Sequence, residues 1–335
     1  MIIYVILVFC FSAIFDTMLE TTAISQIEDQ IREATRGLTD VRDVAEIERF
    51  REMMRETLYH AYYLDVPQWQ RIFLRGFDVL TFDFGESMMM KSKVTQTKDV
   101  WQIVVETIPN TVLLFTTAIF CDVILGLLLG LKKAQRAGGI MDKGTSIITM
   151  AVYGIPTWWF AMVTIWIFAY VFKILPSGGI HSTPVPTGIS YYLDVLKHLA
   201  LPVITLVLIG FWGRAYLTRN IVLSTLQEDY IMAARARGIP ERNVLYGHTM
   251  RSAAPPIMTM AVLSLLVSVS GAIITEGVFS WSGMGRLYWS AIEMNDIPVL
   301  MGNICITTAL YIAGLVFLDL IYGLLDPRIR VMGRR

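Results

Sequence analysis

Apolar and polar positions fall in long blocks along this chain. A charge-free run covers 2–15 and stops at Asp16. A transmembrane helix needs about 20 residues, so the run predicts a first span over 1–19, extending toward Leu19. It lacks the basic flank and clear small-residue cleavage site of a signal peptide. Positions 20–100 then mix acids and bases freely, from Glu28, Asp29, Arg32 and Glu33 to Glu48, Arg49, Arg51 and Glu52. Within them Ile47, Phe50, Met54 and Leu58 recur at steps of three and four, which predicts an amphipathic helix. Five further apolar blocks follow at 108–131, 147–172, 199–217, 257–274 and 300–325. The pattern predicts an all-α polytopic membrane protein with six transmembrane helices. Its core is 105–335, and a small insertion of 20–104 follows the first helix.

Charge adds an orientation, because short cytoplasmic loops collect Lys and Arg. Lys132, Lys133, Arg136 and Lys143 lie between the second and third blocks. Arg214, Arg219, Arg235, Arg237, Arg242 and Arg251 lie at or between the fourth and fifth, and Arg328, Arg330, Arg334 and Arg335 close the chain. The opposite short loops carry little beyond Lys173, Lys197 and Arg286. Both termini are therefore expected in the cytoplasm and 20–104 outside it. Composition agrees with a membrane protein: of 335 residues 55% are hydrophobic and 17% charged, against roughly a quarter charged in soluble domains. A formal net charge of zero implies no nucleic-acid partner. Cys10, Cys121 and Cys305 stand far apart in apolar runs and read as small hydrophobes, not as a disulfide or metal framework.

The one long charged stretch between apolar blocks in the C-terminal half is 227–254, QEDYIMAARARGIPERNVLYGHTMRSAA. Glu228 and Asp229 open a run of helix formers, where acids suit the positive end of the dipole. Ala233, Ala234 and Ala236 keep the helix slim, and Arg235 and Arg237 sit in its last turn. Gly238 supplies a left-handed stop, and Pro240 can start a second helix. The outcome is a slim charged-rim helix hung between two spans, able to enter a groove on another protein.

That arrangement resembles the cytoplasmic coupling loop of binding-protein-dependent ABC transporter permeases, closest to the dipeptide and oligopeptide "B" type subunits. The core of the match is Ala234-Arg235-Ala236-Arg237-Gly238. The wider family often has an acid six residues before the glycine, and Met232 stands there instead. LDVPQWQRIFLRGFDVLTFDFGES (64–87), LPSGG (175–179), LKHLALPVITL (196–206), FSWSGMGRLYWSAI (279–292) and DLIYGLLDPRIR (319–330) also look like that family, in order. No Lys or Arg precedes the first run, a departure consistent with a truncated start.

The resemblance implies the six-helix fold of type I ABC importers and a permease subunit forming half of a translocation path. Its implied partners are a second homologous permease subunit, two ABC ATPases, an extracytoplasmic solute-binding protein and membrane lipid. ATP and Mg²⁺ would sit on the ATPases, so no cofactor is expected in this chain. The expected cargo is di- or oligopeptide, with oligosaccharides or nickel complexes as alternatives. The loop 219–255 would be the coupling element, with Glu228, Asp229, Tyr230, Ala233, Ala234, Arg235, Ala236, Arg237 and Gly238 against an ATPase.

In the fifth block Ser264, Ser268, Gly271 and Thr275 stand at steps of four, three and four, and are expected on one helix face. They would line a path or let helices approach closely. Glu276 and Arg286 are candidates for the receptor-facing mouth, with a solvated loop acid as the plainer reading of Glu276. Pro156, beside Trp158 and Trp159, is expected to break the third block. Asp122 is the acid well inside a span, where a charge is costly and therefore suspect as functional. In a stand-alone secondary carrier, the alternative of another class, Asp122 would bind the coupling ion. In a permease it would line the path or pair with a neighbouring subunit. No buried Arg–Asp pair is evident from the sequence.

Catalysis finds no support. GIMDKGTS (139–146) lacks the lysine after its second glycine that a phosphate loop needs. His60, His181, His198 and His248 are dispersed, without the i, i+4 pair of a zinc helix.

Overall fold

The computed structural model describes residues 2–36, 44–268 and 271–325, the side chains of 44, 266–268 and 319–325 excepted. The segment 326–335, with Arg328, Arg330, Arg334 and Arg335, lies outside the described residues. The chain divides into two compact units, Met1–Thr107 with Leu287–Ala313, and Ile108–Arg286 with Gly314–Arg335.

The first unit opens with helix α1 (Ile2–Arg36), followed by α2 (Val44–Ala61), α3 (Gln68–Leu80) and α4 (Val100–Val105). The helix expected from Ile47, Phe50, Met54 and Leu58 is α2, and Ile47 is buried in it. Val8, Leu19, Ala23, Val79, Met88, Ile297, Met301 and Cys305 form the apolar core. The first helix runs beyond Leu19: α1 continues to Arg36, and the Asp16 carboxylate inside it is 0% exposed. The reason lies far along the chain. Arg71 Nε and Nη2 donate to Asp16 Oδ1 and Oδ2, each at 2.7 Å, and Arg75 Nη1 donates to Oδ1 at 3.0 Å. A carboxylate so neutralised no longer forces the helix toward water.

The second unit holds α5 (Ile108–Gln135), α6 (Ile140–Tyr153), α7 (Thr157–Ile165), α8 (Ile189–Leu226), α9 (Asp229–Ala236), α10 (Glu241–Asn243), α11 (Met250–Ser268) and α12 (Ile273–Val278). The chain passes from the second unit to the first within α13 (Met284–Glu293) and back to the second within α14 (Ile297–Leu325). Helices α5 and α8 pack along most of their length. Gly126 and Gly130, one turn apart on α5, make this possible: a Cβ on Gly130 would stand 2.8 Å from Ala215 O, and one on Gly126 2.8 Å from Arg214 Cβ. Small residues four apart let helix backbones close on each other in this way.

Four described helical stretches are long and apolar enough to cross a membrane: Ile2–Arg36, Val100–Gln135, Ile189–Leu226 and Ile297–Leu318. The pair Ile140–Tyr153 and Thr157–Val171 makes a fifth if counted as one span, but it bends by 98°. That bend falls at Pro156, as the sequence predicts; proline cannot donate to the preceding turn and blocks straight continuation. The expected fifth block, 257–274, is not one straight rod. Gly271 adopts φ +71, Ala272 is extended, and α12 starts afresh at Ile273.

Candidate functional site

The candidate coupling loop begins where α8 ends. Gln227 and Glu228 donate back to Ser224 O and Thr225 O, closing the last turn of α8. Glu228 is then extended, and Ile231 and Met232 both donate to its carbonyl, which starts α9. Among the described residues one face of α9 is covered, by burial of Ile231 and Ala234. Asp229, Tyr230, Met232, Ala233, Ala236 and Arg237 are exposed. The alanine spacing thus yields a helix held from beneath and slim on top.

The stop is as the sequence requires. Gly238 has φ +77, its N–H donates to Arg235 O at 2.9 Å, and Ile239 N–H donates to Ala234 O at 3.3 Å. These two bonds make a Schellman cap, which satisfies carbonyls the helix end would leave bare. Open space surrounds the position a Gly238 Cβ would take, so the requirement is the left-handed backbone, not room. Arg235 Nε then donates to Glu241 Oε1 at 2.8 Å, tying α9 to α10 across the turn. Tyr230 Oη donates to Ser252 Oγ at 2.6 Å. Val244 and Leu245, at the start of a π-helical turn, are buried, and Leu245 joins Leu131, Ala134, Val222, Ala253 and Ile257 in an apolar core. The loop is therefore a pinned projection on the ends of α5, α8 and α11.

The path candidates separate. Asp122 on α5 is buried and pairs with Arg214 on α8: the guanidinium Nε donates to Oδ2. Arg214 Nη2 donates to Ser264 Oγ of α11 at 3.1 Å. A buried Arg–Asp pair thus exists where the sequence showed none. Arg214 counted there only as a loop cation, because it lies near the end of an apolar block. Asp122 Oδ1 is buried without a hydrogen-bond partner among the described residues. Gly210 is the residue that gives it room, since a Cβ there would stand 2.9 Å from Oδ1. Two more loop cations are internal: Arg219 grips Asp142 at 2.7 and 3.1 Å, and Lys133 is 0% exposed with Nζ 3.3 Å from Ser146 Oγ.

Gly271 and Thr275 do not continue the face of α11 that carries Ser264. The side chain of Ser268 lies outside the described residues. Gly271 serves close approach: a Cβ there would stand 2.9 Å from Gly285 N. Thr275 is buried on the separate helix α12.

Glu276 does not face solvent. It is 0% exposed, accepts from Thr111 Oγ1 at 2.9 Å and from Arg286 N–H at 3.1 Å, and so staples α5 to the first turn of α13. Thr111 Oγ1 accepts in turn from Met284 N–H at 2.8 Å, while Trp281 Nε1 donates to Asn110 O at 2.8 Å. Gly283 leaves the room, since a Cβ would meet Glu276. Burial pushes the Glu276 carboxyl above the ordinary range, opposed by its N–H and hydroxyl donors. Arg286 is half-buried, its guanidinium donating to Ser280 O. The expected receptor contact is corrected to an internal anchor, which also absorbs the FSWSGMGR stretch; Gly179 N–H of LPSGG donates to Phe279 O at 2.9 Å in the same assembly.

The family model "Binding-protein-dependent transport system inner membrane component" matches residues 122–331, which covers Asp122, the loop and the Glu276 anchor. The chain is 28% identical over 275 residues to the oligopeptide transport system permease protein AppB of Bacillus subtilis (strain 168), covering 82% of this chain and 84% of that one. It is 30% identical over 294 residues to the di/tripeptide transport system permease protein DppB of Pseudomonas aeruginosa (strain UCBPP-PA14), covering 83% and 85%. The dipeptide transport system permease protein DppB of Escherichia coli (strain K12) is 30% identical over 285 residues, covering 80% and 82%.

Proposed function

This chain belongs to the binding-protein-dependent transport system inner membrane component family, and from that premise we propose that it is the peptide-conducting permease half of an ATP-driven importer. It is a multi-pass, non-catalytic membrane subunit. In our reading it pairs with a second, homologous permease subunit, takes di- or oligopeptides from an external solute-binding protein, and is driven by two cytoplasmic ABC ATPases carrying ATP and Mg²⁺. Both termini and α9 face the cytoplasm in this reading.

The observation that carries the coupling is the form of α9: an eight-residue helix with one face anchored and the other bare. A lever needs both. The anchored face passes displacement to α5, α8 and α11, and the bare face enters an ATPase cleft. ATP can reorient the spans only if the ATPase pair contacts the loop differently in its open and closed states. The Schellman stop at Gly238 fixes the aim of the lever.

Gly238→Val tests it. A β-branched side chain at φ +77 costs about 1–3 kcal/mol, enough to misaim α9. Receptor-stimulated ATP hydrolysis by the assembled complex should fall roughly tenfold, which corresponds to about 1.4 kcal/mol. Stimulation equal to the natural chain would contradict the coupling role.

A further inference from the structure

Helix α3 is built inside out. Its exposed positions are Gln68, Trp69, Gln70, Phe73 and Phe77, none of them ionisable. Trp69, Phe73 and Phe77, 66%, 54% and 60% exposed, stand four residues apart and form one stripe. Its two arginines point the other way, 3% and 8% exposed, onto Asp16. Arg71 also donates to Glu20 Oε2 at 2.6 Å, and Arg75 to Tyr62 O at 2.7 Å. A helix on a water-facing cap carries its charge outside and its rings inside. Here the order is reversed.

The stripe is also continuous with an apolar surface that the bilayer must already cover. Phe9 of α1 lies 5.5 Å from the Phe73 ring and 5.7 Å from the Phe77 ring, centre to centre. Gly76 lets α3 close onto Phe9, since a Cβ there would strike that ring. Ile2, Ile6 and Phe9 follow one another on one face of α1, and Ile2 and Ile6 are exposed. Arg71 meets Asp16 and Glu20 while Phe77 meets Phe9. Helix α3 therefore runs antiparallel to α1, with its Phe77 end beside the charge-free part of that span and its Trp69 end toward the charged part.

We infer that α3 is a lipid-embedded helix: its Trp69–Phe73–Phe77 face lies against the acyl chains and headgroup boundary of the bilayer. Trp69, flanked by two glutamines, sits at headgroup level, where tryptophan is enriched. Phe73 and Phe77 reach progressively deeper. The Asp16–Arg71–Arg75 cluster is what allows this, because it removes every charge from the lipid-facing side. The insertion expected after the first span is thus partly embedded in the membrane.

Nitroxides at Trp69→Cys, Phe73→Cys and Phe77→Cys test the assignment in the full importer complex in bilayers, with Cys10, Cys121 and Cys305 replaced by alanine. Collision with oxygen, which concentrates in lipid, should exceed collision with a water-soluble nickel chelate at 73 and 77. The ratio should rise from 69 to 73 to 77. Nickel collisions dominating at 73 and 77 would place the face in water, and neither reagent colliding would place it against a companion subunit; either overturns the inference. Labelled chains that do not assemble are replaced by a second measurement on the cysteine-intact chain. Brominated lipid should quench more emission from the natural complex than from Trp69→Phe, and equal quenching would overturn the inference.

Discussion

Asp16 and Asp122 are both carboxylates buried in helices apolar enough to cross a membrane, and they are held differently. Asp16 has both oxygens occupied by two guanidiniums, and those guanidiniums have further acceptors in Glu20 and Tyr62 O. Asp122 has one oxygen on Arg214, while Oδ1 has no partner among the described residues. The first arrangement is saturated and fixes α1 against α3. The second ties α5, α8 and, through Ser264, α11 with an acceptor left over. A saturated cluster resists any movement of its helices. A half-satisfied one can exchange partners when the helices shift, which suits the unit that carries the coupling loop.

The difference can be broken experimentally. Asp16→Ala should have the largest effect, because it leaves two buried guanidiniums without their shared acceptor. Breaking a buried pair in this way costs about 3–5 kcal/mol. Thermal unfolding of the purified chain in detergent should show a markedly lower midpoint, and an unchanged midpoint would mean that the cluster is solvated. Asp122→Asn should cost less, ~1–3 kcal/mol, since the amide oxygen still accepts from Arg214. Uptake should persist at reduced rate with its pH profile unchanged, because the exchange of partners needs no proton on Asp122. Abolished uptake together with a lost pH dependence would favour a proton-coupled carrier.

The same comparison explains what the sequence revealed. Local signals were legible: the φ-positive stop at Gly238, the break at Pro156, the amphipathic period of α2. Each depends on residues within one or two turns. The polar anchors were not legible, because their partners are remote. Asp16 reads as the end of the apolar run until Arg71 and Arg75 are seen beside it, 55 and 59 positions on. Glu276 reads as a mouth residue until Thr111, 165 positions back, is found donating to it. Arg214 and Lys133 counted as loop cations because charge tallies cannot tell a solvated cation from one buried inside the unit. The four-residue stripe from Ser264 to Thr275 assumed an unbroken helix, and the positive φ of Gly271 ends that assumption. Glycine was the available signal, as the one residue at home in that conformation.

The most direct test of the permease assignment is reconstitution. Sealed vesicles would hold this chain with its companion permease and ATPases, and would be supplied outside with receptor and a labelled dipeptide. The account predicts accumulation of dipeptide only while ATP is hydrolysed on the ATPase side. Accumulation with no nucleotide hydrolysed, or by this chain alone, would contradict it.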